Sequence, residues 1–462
     1  MPIEQLLRGS FAAAVAAADP LHIVPAHLPA PPRGRTLVVG AGKAAAAMAH
    51  AVEQHWPADA ALSGLVITRY GHAMPAMPDA SHGAAQPARI RVVQAAHPVP
   101  DAAGELATLQ ILEAVQALAP EDLLLVLISG GGSSLLSLPA EGISLDDLRQ
   151  VNRALLDCGA PIQQMNVVRK HLSRISGGRL AAASAAPVLA LIISDVTGDD
   201  PTHIASGPCA PDPSSWRDAL AVIQRYALDV PASVRRHLQA GVDGMIPDTP
   251  KPGNALFARV ENRVIATADQ SLQAAADWLQ AQIPTLTCHM LGADLTGEAS
   301  DAAREHAALV HRLMQTHRPA YLPRGSHTIL PGKGPIALIS GGECTVTLPG
   351  ASTSGNVDGP DLITRARGGR CSEYLLALGV CLDALQGVWA LAADTDGIDG
   401  SEDNAGAWIA PDSLQRARAL GLDAQHCLDT HDAWGWFSAL GHLVMTGPTR
   451  TNVNDYRIIF LE

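Results

Sequence analysis

Aliphatic runs that end in glycine, serine or aspartate are the main pattern along the chain. Leu123–Ile128 is a continuous apolar run that leads directly into Ser129-Gly130-Gly131-Gly132-Ser133-Ser134. Such a run is typical of a strand buried on both faces of a parallel sheet, and the glycines permit a tight turn after it. The pattern predicts an anion cradle of backbone amides in that turn. A strand-to-helix turn that binds nothing is the alternative for a single motif of this kind.

Runs of the same kind recur through the first half of the chain, with helical patterns between them. The predicted strands cover residues 36–39, 65–68, 90–93, 123–128 and 188–195. The predicted helices cover residues 44–52, 101–118, 146–156 and 166–172. Strands that alternate with helices at this spacing favour a parallel, doubly wound α/β sheet.

A stretch dense in proline and glycine, residues 243–254, is the best candidate for a domain boundary. It predicts an amino-terminal domain of residues 1–245 and a carboxyl-terminal domain of residues 246–462. A second set of elements follows the stretch, at residues 264–267, 271–282, 285–291, 298–315 and 335–340. A chain of 462 residues is longer than one hydrophobic core usually organises, which also favours two domains.

Three short motifs of the first half of the chain have a counterpart in the second half. The pairs are Ile128-Ser129-Gly130-Gly131 with Ile339-Ser340-Gly341-Gly342, residues 194–200 with residues 393–400, and Gly177-Gly178-Arg179 with Gly368-Gly369-Arg370. The first two motifs lie at the ends of apolar runs, and the third is an arginine after a glycine pair. The repetition predicts two α/β domains whose strand ends face each other across a cleft. The alternative is that glycine, serine and aspartate simply populate loops.

Charge and lysine content narrow the class of ligand. The formal net charge of −13 argues against a nucleic-acid partner, which normally requires a basic surface. Any phosphate or carboxylate must therefore be held locally. Lysine occurs only at positions 43, 170, 251 and 333. A lysine inside a glycine turn, such as Lys43, is notable because an ammonium is a compact point charge that arginine does not replace.

The 7 cysteines are odd in number and show neither C-x-x-C pairs nor zinc-ligand spacing. We expect reduced thiols in a cytoplasmic protein. The amino terminus lacks the basic start and apolar core of a signal peptide, and no apolar stretch has the length of a membrane span.

Phosphoryl transfer to a small hydroxy acid needs backbone amides that bind the nucleotide phosphates and a cation beside the transferring group. It also needs carboxylates that bind Mg²⁺ and a cation that binds the substrate carboxylate. Predicted strand ends supply each group. Lys43 follows Gly40 and Gly42 at a helix start, where amides and ammonium can act on one anion. Arg370 follows a glycine pair that brings its guanidinium fork near an anion. Carboxylates that suit Mg²⁺, or that serve only as helix caps and turn acids, are Asp195, Asp199, Asp394, Asp396 and Asp399.

Arg169 and Lys170 lie in a polar and basic stretch of a predicted helix. They either contact substrate or pair with surface acids, which is the commoner fate of such residues. The sequence contains no G-x-x-x-x-G-K-[ST], H-E-x-x-H or G-x-S-x-G motif. Residues 40–45 satisfy a relaxed G-x-G-x-x-A pattern, which keeps an NAD(P)H-dependent hydroxypyruvate reductase as an alternative. A non-catalytic sugar-acid-binding protein is the alternative from another class.

Taken together, these motifs resemble the glycerate 2-kinases that carry a MOFRL carboxyl-terminal domain, a group also catalogued as hydroxypyruvate reductase-like. The resemblance covers nearly the whole chain in order, and its segments are residues 39–45, 97–101, 129–134, 166–173, 194–200, 206–208, 340–343, 368–370, 394–400 and 446–455. It implies ATP-dependent phosphorylation of D-glycerate at the 2-hydroxyl, with a divalent metal. It also implies a Rossmann-like three-layer α/β/α domain and a smaller α/β domain, with the active site in the cleft between them.

The resemblance further implies that Lys43 and Arg370 are the residues most needed for catalysis. Here Arg370 is followed by Cys371-Ser372-Glu373, where relatives often carry Asn-Gln-Glu, so any amide contact just after the arginine is in doubt.

The resulting hypothesis is in-line transfer of the ATP γ-phosphoryl group to glycerate. Lys43 neutralises the transferring oxygens, Arg370 holds the substrate carboxylate or the same oxygens, and Asp195 or Asp394 holds Mg²⁺ or orients the hydroxyl. The expected metal ligands are Asp195, Asp394 and Asp396. The expected binding residues are Gly40, Gly42, Ser129, Gly130, Gly131, Gly132, Ser133, Ser134, Arg169, Lys170, Gly341, Glu343 and Asn454. The expected partners are D-glycerate and ATP, without nucleic acid or membrane, and the oligomeric state stays open, a homodimer included.

Overall fold

The computed structural model describes residues 1–74, 88–316, 320–321, 328–329, 334–348 and 366–462. The chain divides into two compact units. The continuous unit is Asp19–Ala266, and the discontinuous unit combines Met1–Ala18 with Thr267–Glu462. Among the described helices, none combines the length and the apolar character that a membrane span requires.

The sheet of the continuous unit is parallel throughout its described strands. These strands are β1 (Thr36–Ala41), β2 (Leu62–Arg69), β3 (Ile90–Ala95), β4 (Leu123–Ile128), β5 (Val188–Ile193) and β6 (Val260–Ala266). Their order is β3-β2-β1-β4-β5-β6, and every neighbouring pair is parallel. This is the strand order of a doubly wound, Rossmann-type sheet. The predicted α/β class is confirmed.

Helices connect these strands and cover the sheet. They are α2 (Pro20–Ile23), α3 (Ala45–His55), α4 (Ala102–Gln116), α5 (Gly132–Leu135), α6 (Leu145–Asp157), α7 (Ile162–His171), α8 (Arg179–Ala183), α9 (Trp216–Arg225) and α10 (Ala232–Val242), with 3-10 turns at Val24–His27, Ile204–Ser206 and Ala255–Arg259. The residues of β1 are all buried, as are those of β4 after Leu123. Their continuous apolar runs therefore reflect burial on both faces.

The division between the units differs from the predicted domain boundary at residues 245/246. Strand β6 begins after the proline-rich stretch, yet it pairs with β5 in the first sheet. The stretch at residues 243–254 is therefore a connection inside the continuous unit, and the units separate only after Ala266.

The sheet of the discontinuous unit is mixed. Its strands are β7 (Thr287–Met290), β10 (Ile336–Ser340), β11 (Val388–Asp394), β12 (Gly406–Ile409), β13 (Leu443–Val444) and β14 (Asp455–Leu461), and a separate pair consists of β8 (Ala320–Tyr321) and β9 (Thr328–Ile329). The order is β13-β12-β11-β14-β10-β7. The last strand, β14, lies between β10 and β11 and is antiparallel to both.

Helix α1 (Ile3–Ala17) belongs to the discontinuous unit although it begins the chain. Leu7 and Phe11 are buried in the same core as α11 (Ala268–Gln282) and β14. The Tyr456 hydroxyl donates a hydrogen bond to Ser10 Oγ at 2.8 Å. The other helices of this unit are α12 (Ala299–Thr316), α13 (Arg370–Leu382), α14 (Ser413–Ala419), α15 (Ala424–Asp429) and α16 (Ala433–Leu440).

A buried histidine makes the stability of the discontinuous unit dependent on pH. His306 is 7% exposed, and its Nδ1 lies 2.7 Å from the Tyr374 hydroxyl. Burial, together with the charge of Arg457, lowers the pKa of His306 to about 4. Because the unfolded chain takes up this proton near pH 6.5, the free energy of unfolding should fall by roughly 3 kcal/mol as the pH drops from 6.5 to 4.

Urea unfolding at several pH values measures this dependence. The variant His306→Gln lacks the titrating group, so its free energy of unfolding should vary less over the same pH interval. Equal pH dependence in the variant and the unmodified protein would show that His306 does not contribute.

Candidate active site

Lys43 and the turn at residues 129–134 lie side by side at the carboxyl ends of β1 and β4. These two strands are neighbours, and the strand order reverses its direction at this pair. Ligands of open α/β sheets bind in the crevice at such a switch point. The two turns singled out in the sequence thus occupy the position at which this fold class binds ligands.

Direct hydrogen bonds join the two turns. The Lys43 amide donates to the Gly130 carbonyl at 2.8 Å, and the Ala44 amide donates to Ser129 Oγ at 2.9 Å. Gly42 has a φ of 142°, and a Cβ there would lie 2.1 Å from Ser129 Oγ, so only glycine fits this position. The bonds fix the backbone of Lys43. Because the Lys43 and Ala44 amides donate these bonds within the protein, they do not donate to an anion.

The second half of the turn enters a chain of polar side chains. Ser133 Oγ lies 2.9 Å from Ser206 Oγ, and Ser206 Oγ donates to Asn166 Oδ1 at 3.3 Å. Asn166 in turn donates through Nδ2 to the His203 carbonyl at 3.2 Å. Because Asn166 and Ser206 are both buried, this chain holds the turn against α7 and the 3-10 turn at Ile204–Ser206.

A cavity of about 180 Å³ opens beside this turn, within the continuous unit. Serine hydroxyls, arginines and a few aliphatic side chains form its wall, and we call it the serine–arginine cavity. Its lining residues are His97, Pro98, Val99, Pro100, Gly131, Ser133, Ser134, Leu136, Ser137, Leu138, Leu148, Arg149, Asn152, Arg153, Leu156, Arg169, Ser173, Ser176 and Ser206. The cavity therefore brings together the Ser133–Ser134 part of the predicted cradle and Arg169.

Two arginines in the cavity wall have different partners. Arg149 Nη1 lies 2.7 Å from Asp146 Oδ1, and Arg149 Nε donates to the Pro100 carbonyl at 2.8 Å. Arg169 Nε donates to Asn152 Oδ1 at 2.9 Å. Burial lowers the pKa of Arg169. The charge of Arg149 is thus partly compensated, whereas Arg169 bonds a neutral amide.

Lys170, the next residue along α7, lies elsewhere. It is 2% exposed, and its Nζ lies 3.3 Å from Oδ1 of the buried Asp212. Although burial opposes its ionisation, the charge of Lys170 and hydrogen bonds from Ser214 lower the pKa of Asp212. Lys170 does not line the serine–arginine cavity. Its contacts are those of a buried ion pair that holds α7 to the loop carrying Asp212.

Asp195 follows β5 by two residues and is half-buried. Ser194 precedes it, and the Ser194 amide donates to the Ala266 carbonyl at 2.9 Å. Asp195 does not line the serine–arginine cavity. In the described part of the chain, no group of three or more His, Cys, Asp and Glu side chains is arranged to hold a metal ion.

Arg370 is the centre of an acidic cluster in the discontinuous unit. Its Nε lies 2.8 Å from Asp455 Oδ1, its Nη2 lies 2.8 Å from Asp394 Oδ2, and its Nη1 lies 2.9 Å from Glu343 Oε1. Burial alone would lower the pKa of Arg370, but the three carboxylates outweigh it and hold this pKa well above its ordinary value. We call Arg370, Glu343, Asp394 and Asp455 the Arg370 cluster.

A second arginine shares the acid at the base of this cluster. Arg457 on β14 forms an ion pair with Asp455, whose side chain is fully buried. Arg457 Nη1 also donates to the carbonyls of Gly341 and Gly342, at 3.3 and 3.5 Å. The Gly341 amide donates to the Gly292 carbonyl at 2.8 Å. The turn after β10 therefore offers carbonyls to a cation, unlike the turn after β4, with which it shares Ile-Ser-Gly-Gly.

Asp399 holds the amino terminus of α13, directly after the glycine pair. It accepts hydrogen bonds from the Cys371 amide at 2.9 Å and from the Ser372 amide at 2.8 Å. A Cβ on Gly369 would lie 2.3 Å from Asp399 Oδ1, so the glycine is required for this approach. Burial raises the pKa of Asp399 against the opposing effect of these bonds. Among the alternatives left open by the sequence, Asp399 serves as a helix cap.

Asp394 and Asp396 lie in the turn after β11. Asp394 Oδ1 accepts from the Asp396 amide at 3.0 Å, and Asp396 Oδ1 accepts from the Ile398 amide at 2.9 Å. Thr395 Oγ1 donates to the carbonyl of Asn454 at 2.6 Å. The turn after β11 and the segment before β14 are thereby joined, which brings Asn454 next to the Arg370 cluster through its neighbour Asp455.

Several residues at these sites carried no predicted role. Asp455 lies in a segment noted in the sequence, but nothing marked it as a partner of Arg370. Asn152 and Arg149 lie on α6, where the sequence predicted only a helix over residues 146–156. The sequence signal for Asp455 is its position, after the polar residues Asn452 and Asn454, at the start of a strand whose residues are all buried.

Comparison with known proteins gives this chain its family. A model described as a domain of unknown function, DUF4147, matches residues 6–239, and the MOFRL family model matches residues 336–455. The chain is 48% identical to a protein of Agrobacterium vitis named "Putative hydroxypyruvate reductase", over 99% of this chain and 94% of the relative. It is 34% identical to the D-glycerate 2-kinase of Thermotoga maritima, over 91% of this chain and 89% of the relative.

A solved structure agrees with these matches. The crystal structure of glycerate kinase from Thermotoga maritima superposes with a TM-score of 0.79 at 33% identity, covering 99% of each chain. Fold and matches together define a two-unit α/β protein with a MOFRL domain. The chain belongs to the MOFRL-domain family that contains glycerate 2-kinases and hydroxypyruvate reductase-like proteins.

Proposed function

We propose that the protein transfers the γ-phosphoryl group of ATP to the 2-hydroxyl of D-glycerate, giving 2-phosphoglycerate and ADP. Relatives named glycerate 2-kinase and glycerate kinase support this activity. The observation that carries it is the pair of bonds that ties the Lys43 turn to the Ser129 turn. This arrangement fixes a lysine at the switch point of the sheet, where an anionic substrate is expected.

The same bonds count against the rival reductase. A dinucleotide pyrophosphate binds to backbone amides in the turn after β1, at the start of the following helix. Here the Lys43 and Ala44 amides donate to Gly130 and Ser129. A pyrophosphate would have to displace both bonds. A phosphoryl group held by the Lys43 ammonium needs neither amide.

In the proposed reaction Lys43 neutralises charge on the transferring phosphoryl oxygens, since an ammonium is a point charge suited to phosphate. Arg370 can hold an anionic group through its Nη1 edge. Its present partner there, Glu343, has a side chain that is 55% exposed, whereas the Asp394 and Asp455 side chains are almost fully buried. The exposed acid can move aside, and the two buried acids keep the guanidinium in place.

Mg²⁺ is part of this proposal and fits the carboxylates that are present. It usually binds through one or two carboxylates together with substrate phosphates and water, so a complete protein cage is not needed. Asp195, Asp394 and Asp396 are the candidate ligands. When bound, the ion neutralises charge on the β- and γ-phosphates. Asp394 is already bonded to Arg370 and to the Asp396 amide, and these bonds fix the orientation of its carboxylate.

The strand order and the relaxed glycine pattern are the two observations that favour the reductase. Two assays distinguish it from the kinase. Release of ADP is measured with ATP, Mg²⁺ and D-glycerate, and loss of NADH absorbance is measured with hydroxypyruvate. We expect ADP release that depends on glycerate and no oxidation of NADH. Oxidation of NADH without ADP release would overturn the proposal, and glycerate binding without either reaction would favour the sugar-acid-binding alternative.

A further inference from the structure

The wall of the serine–arginine cavity contains a cation, Arg169, that is bonded to a neutral amide and not to a carboxylate. Arg169 lies in its wall and is half-buried. Within the described ranges, the structure gives Arg169 no carboxylate partner, and its Nη1 and Nη2 atoms make no hydrogen bond. A partly buried charge without a counter-charge is unfavourable unless a ligand completes it. Arg169 therefore favours a bound anion in this cavity.

The orientation of this cation is fixed. Asn152 Oδ1 accepts from Arg169 Nε at 2.9 Å, which occupies the inner edge of the guanidinium. The outer edge, with Nη1 and Nη2, remains for a ligand. Two parallel N–H groups on one edge match the two oxygens of a carboxylate, so a planar acid can bind here with both oxygens.

Hydroxyl groups surround the same space. Ser133, Ser134, Ser176 and Ser206 line the cavity, and Ser206 is 1% exposed. Because Ser206 Oγ donates to Asn166 Oδ1, Ser133 Oγ is the donor in its 2.9 Å bond to Ser206 Oγ, and both hydroxyl protons are used within the protein. Lone pairs on these two oxygens remain as acceptors. A ligand with a hydroxyl group next to its acid can therefore donate that hydroxyl to a serine oxygen while its carboxylate binds Arg169.

The volume of the cavity selects a small ligand. Pockets that hold drug-sized molecules measure roughly 300–1,000 Å³. The serine–arginine cavity measures about 180 Å³, too little for a nucleotide. The cavity beside Arg370, at about 450 Å³, lies within the larger range. The two cavities thus differ in the size of ligand that each can take.

We infer that the serine–arginine cavity binds the carboxylate of the small hydroxy-acid substrate. Arg169 binds this carboxylate, and Asn152 is the positioning residue that orients Arg169. The inference rests on the proposed function, whose acceptor it places. It gives the anion predicted for the Ser133–Ser134 turn a chemical identity, the acid of the substrate.

Two variants test the inference in different ways. Arg169→Gln removes the cation, and Asn152→Asp places a carboxylate against Arg169 Nε at nearly unchanged volume. In both variants the KM for D-glycerate should rise about 10- to 100-fold. Arg169→Gln loses the charged hydrogen bond to the substrate carboxylate. In Asn152→Asp the new carboxylate neutralises the Arg169 charge that the substrate would otherwise bind. The KM for ATP should change less than twofold. Arg225→Gln, at an exposed position on α9 outside the cavity, is the matched control and should leave both constants unchanged.

Calorimetric titration with D-glycerate alone, without nucleotide, separates this inference from the kinase assignment. If the unmodified protein binds glycerate, both variants bind it weakly and no ADP is released, the inference stands and the proposed function fails. If ADP is released but both variants keep an ordinary KM for glycerate, the inference fails and the proposed function stands. A rise in the KM for ATP with an unchanged KM for glycerate would overturn the inference, since the cavity would then serve nucleotide phosphates.

Discussion

Replacing Lys43 by alanine should reduce the turnover of ATP and D-glycerate about 1,000-fold, the effect of removing a main electrostatic contact to the reacting group. The free energy of unfolding should change by no more than about 0.5 kcal/mol, as for a side chain outside the core. The reason is that the Lys43 turn is held by backbone groups. The Lys43 amide bonds Gly130, and the Thr68 hydroxyl donates to the Lys43 carbonyl. Steady-state kinetics and urea unfolding measure the two quantities.

Lys251→Ala is the control for this experiment. It removes a lysine from the same unit, at a site where Lys251 pairs with Asp248. Its turnover should match that of the unmodified protein. Near-normal turnover of a properly folded Lys43→Ala protein would remove Lys43 from the mechanism.

Replacing Arg370 by alanine should lower the free energy of unfolding by about 3–5 kcal/mol and abolish turnover. The variant leaves three carboxylates together, and two of them, Asp394 and Asp455, are buried, with Arg457 as the remaining ion-pair partner of Asp455. Arg370→Lys should recover only part of this loss, because one ammonium cannot reach the three positions occupied by Nε, Nη1 and Nη2. Urea unfolding followed by tryptophan fluorescence measures the effect.

Arg367→Ala is a matched control, three residues before Arg370. Arg367 pairs with Glu402, stacks 3.7 Å from the Trp434 ring centre and has a side chain that is 42% exposed. An exposed pair of this kind contributes about 1 kcal/mol or less, so this variant should stay close to the unmodified protein. If Arg370→Ala were as stable as Arg367→Ala, the Arg370 cluster would not hold the turns after β11 and before β14 together.

The sequence predicted the continuous unit well because its elements follow local rules. Uninterrupted apolar runs such as Leu123–Ile128 can only be satisfied by burial on both faces, and the alternation with helices then requires parallel strands. Once β1 and β4 are neighbours in such a sheet, Lys43 and Ser129 must meet at the same edge. Local pattern and topology together therefore brought the two turns to one place.

The discontinuous unit could not be predicted in this way because its order depends on distant residues. Strand β14 enters the middle of the sheet from the end of the chain, and α1 packs on that sheet from the beginning of the chain. No local pattern encodes either placement. The repeated Ile-Ser-Gly-Gly motif shows the consequence. The copy after β4 borders a serine-lined cavity, and the copy after β10 binds Arg457, a partner 115 residues beyond Gly342.

The sequence also did not predict which side chains form ion pairs and hydrogen bonds with each other. Arg370, expected in catalysis, and Arg169 and Lys170, expected in binding or in surface pairs, were all candidates without predicted side-chain partners. The structure separates them by their partners: three acids for Arg370, an amide for Arg169 and a buried aspartate for Lys170. These partners lie 17 to 85 residues away or in another element, so spacing alone cannot identify them.

The position of the transferred phosphate tests the central claim most directly. The protein is incubated with ATP, Mg²⁺ and D-glycerate, and the product is identified by ³¹P NMR against authentic 2-phosphoglycerate and 3-phosphoglycerate. We expect 2-phosphoglycerate in an amount equal to the ADP released. Formation of 3-phosphoglycerate, or of no phosphorylated glycerate while hydroxypyruvate is reduced by NADH, would contradict the claim.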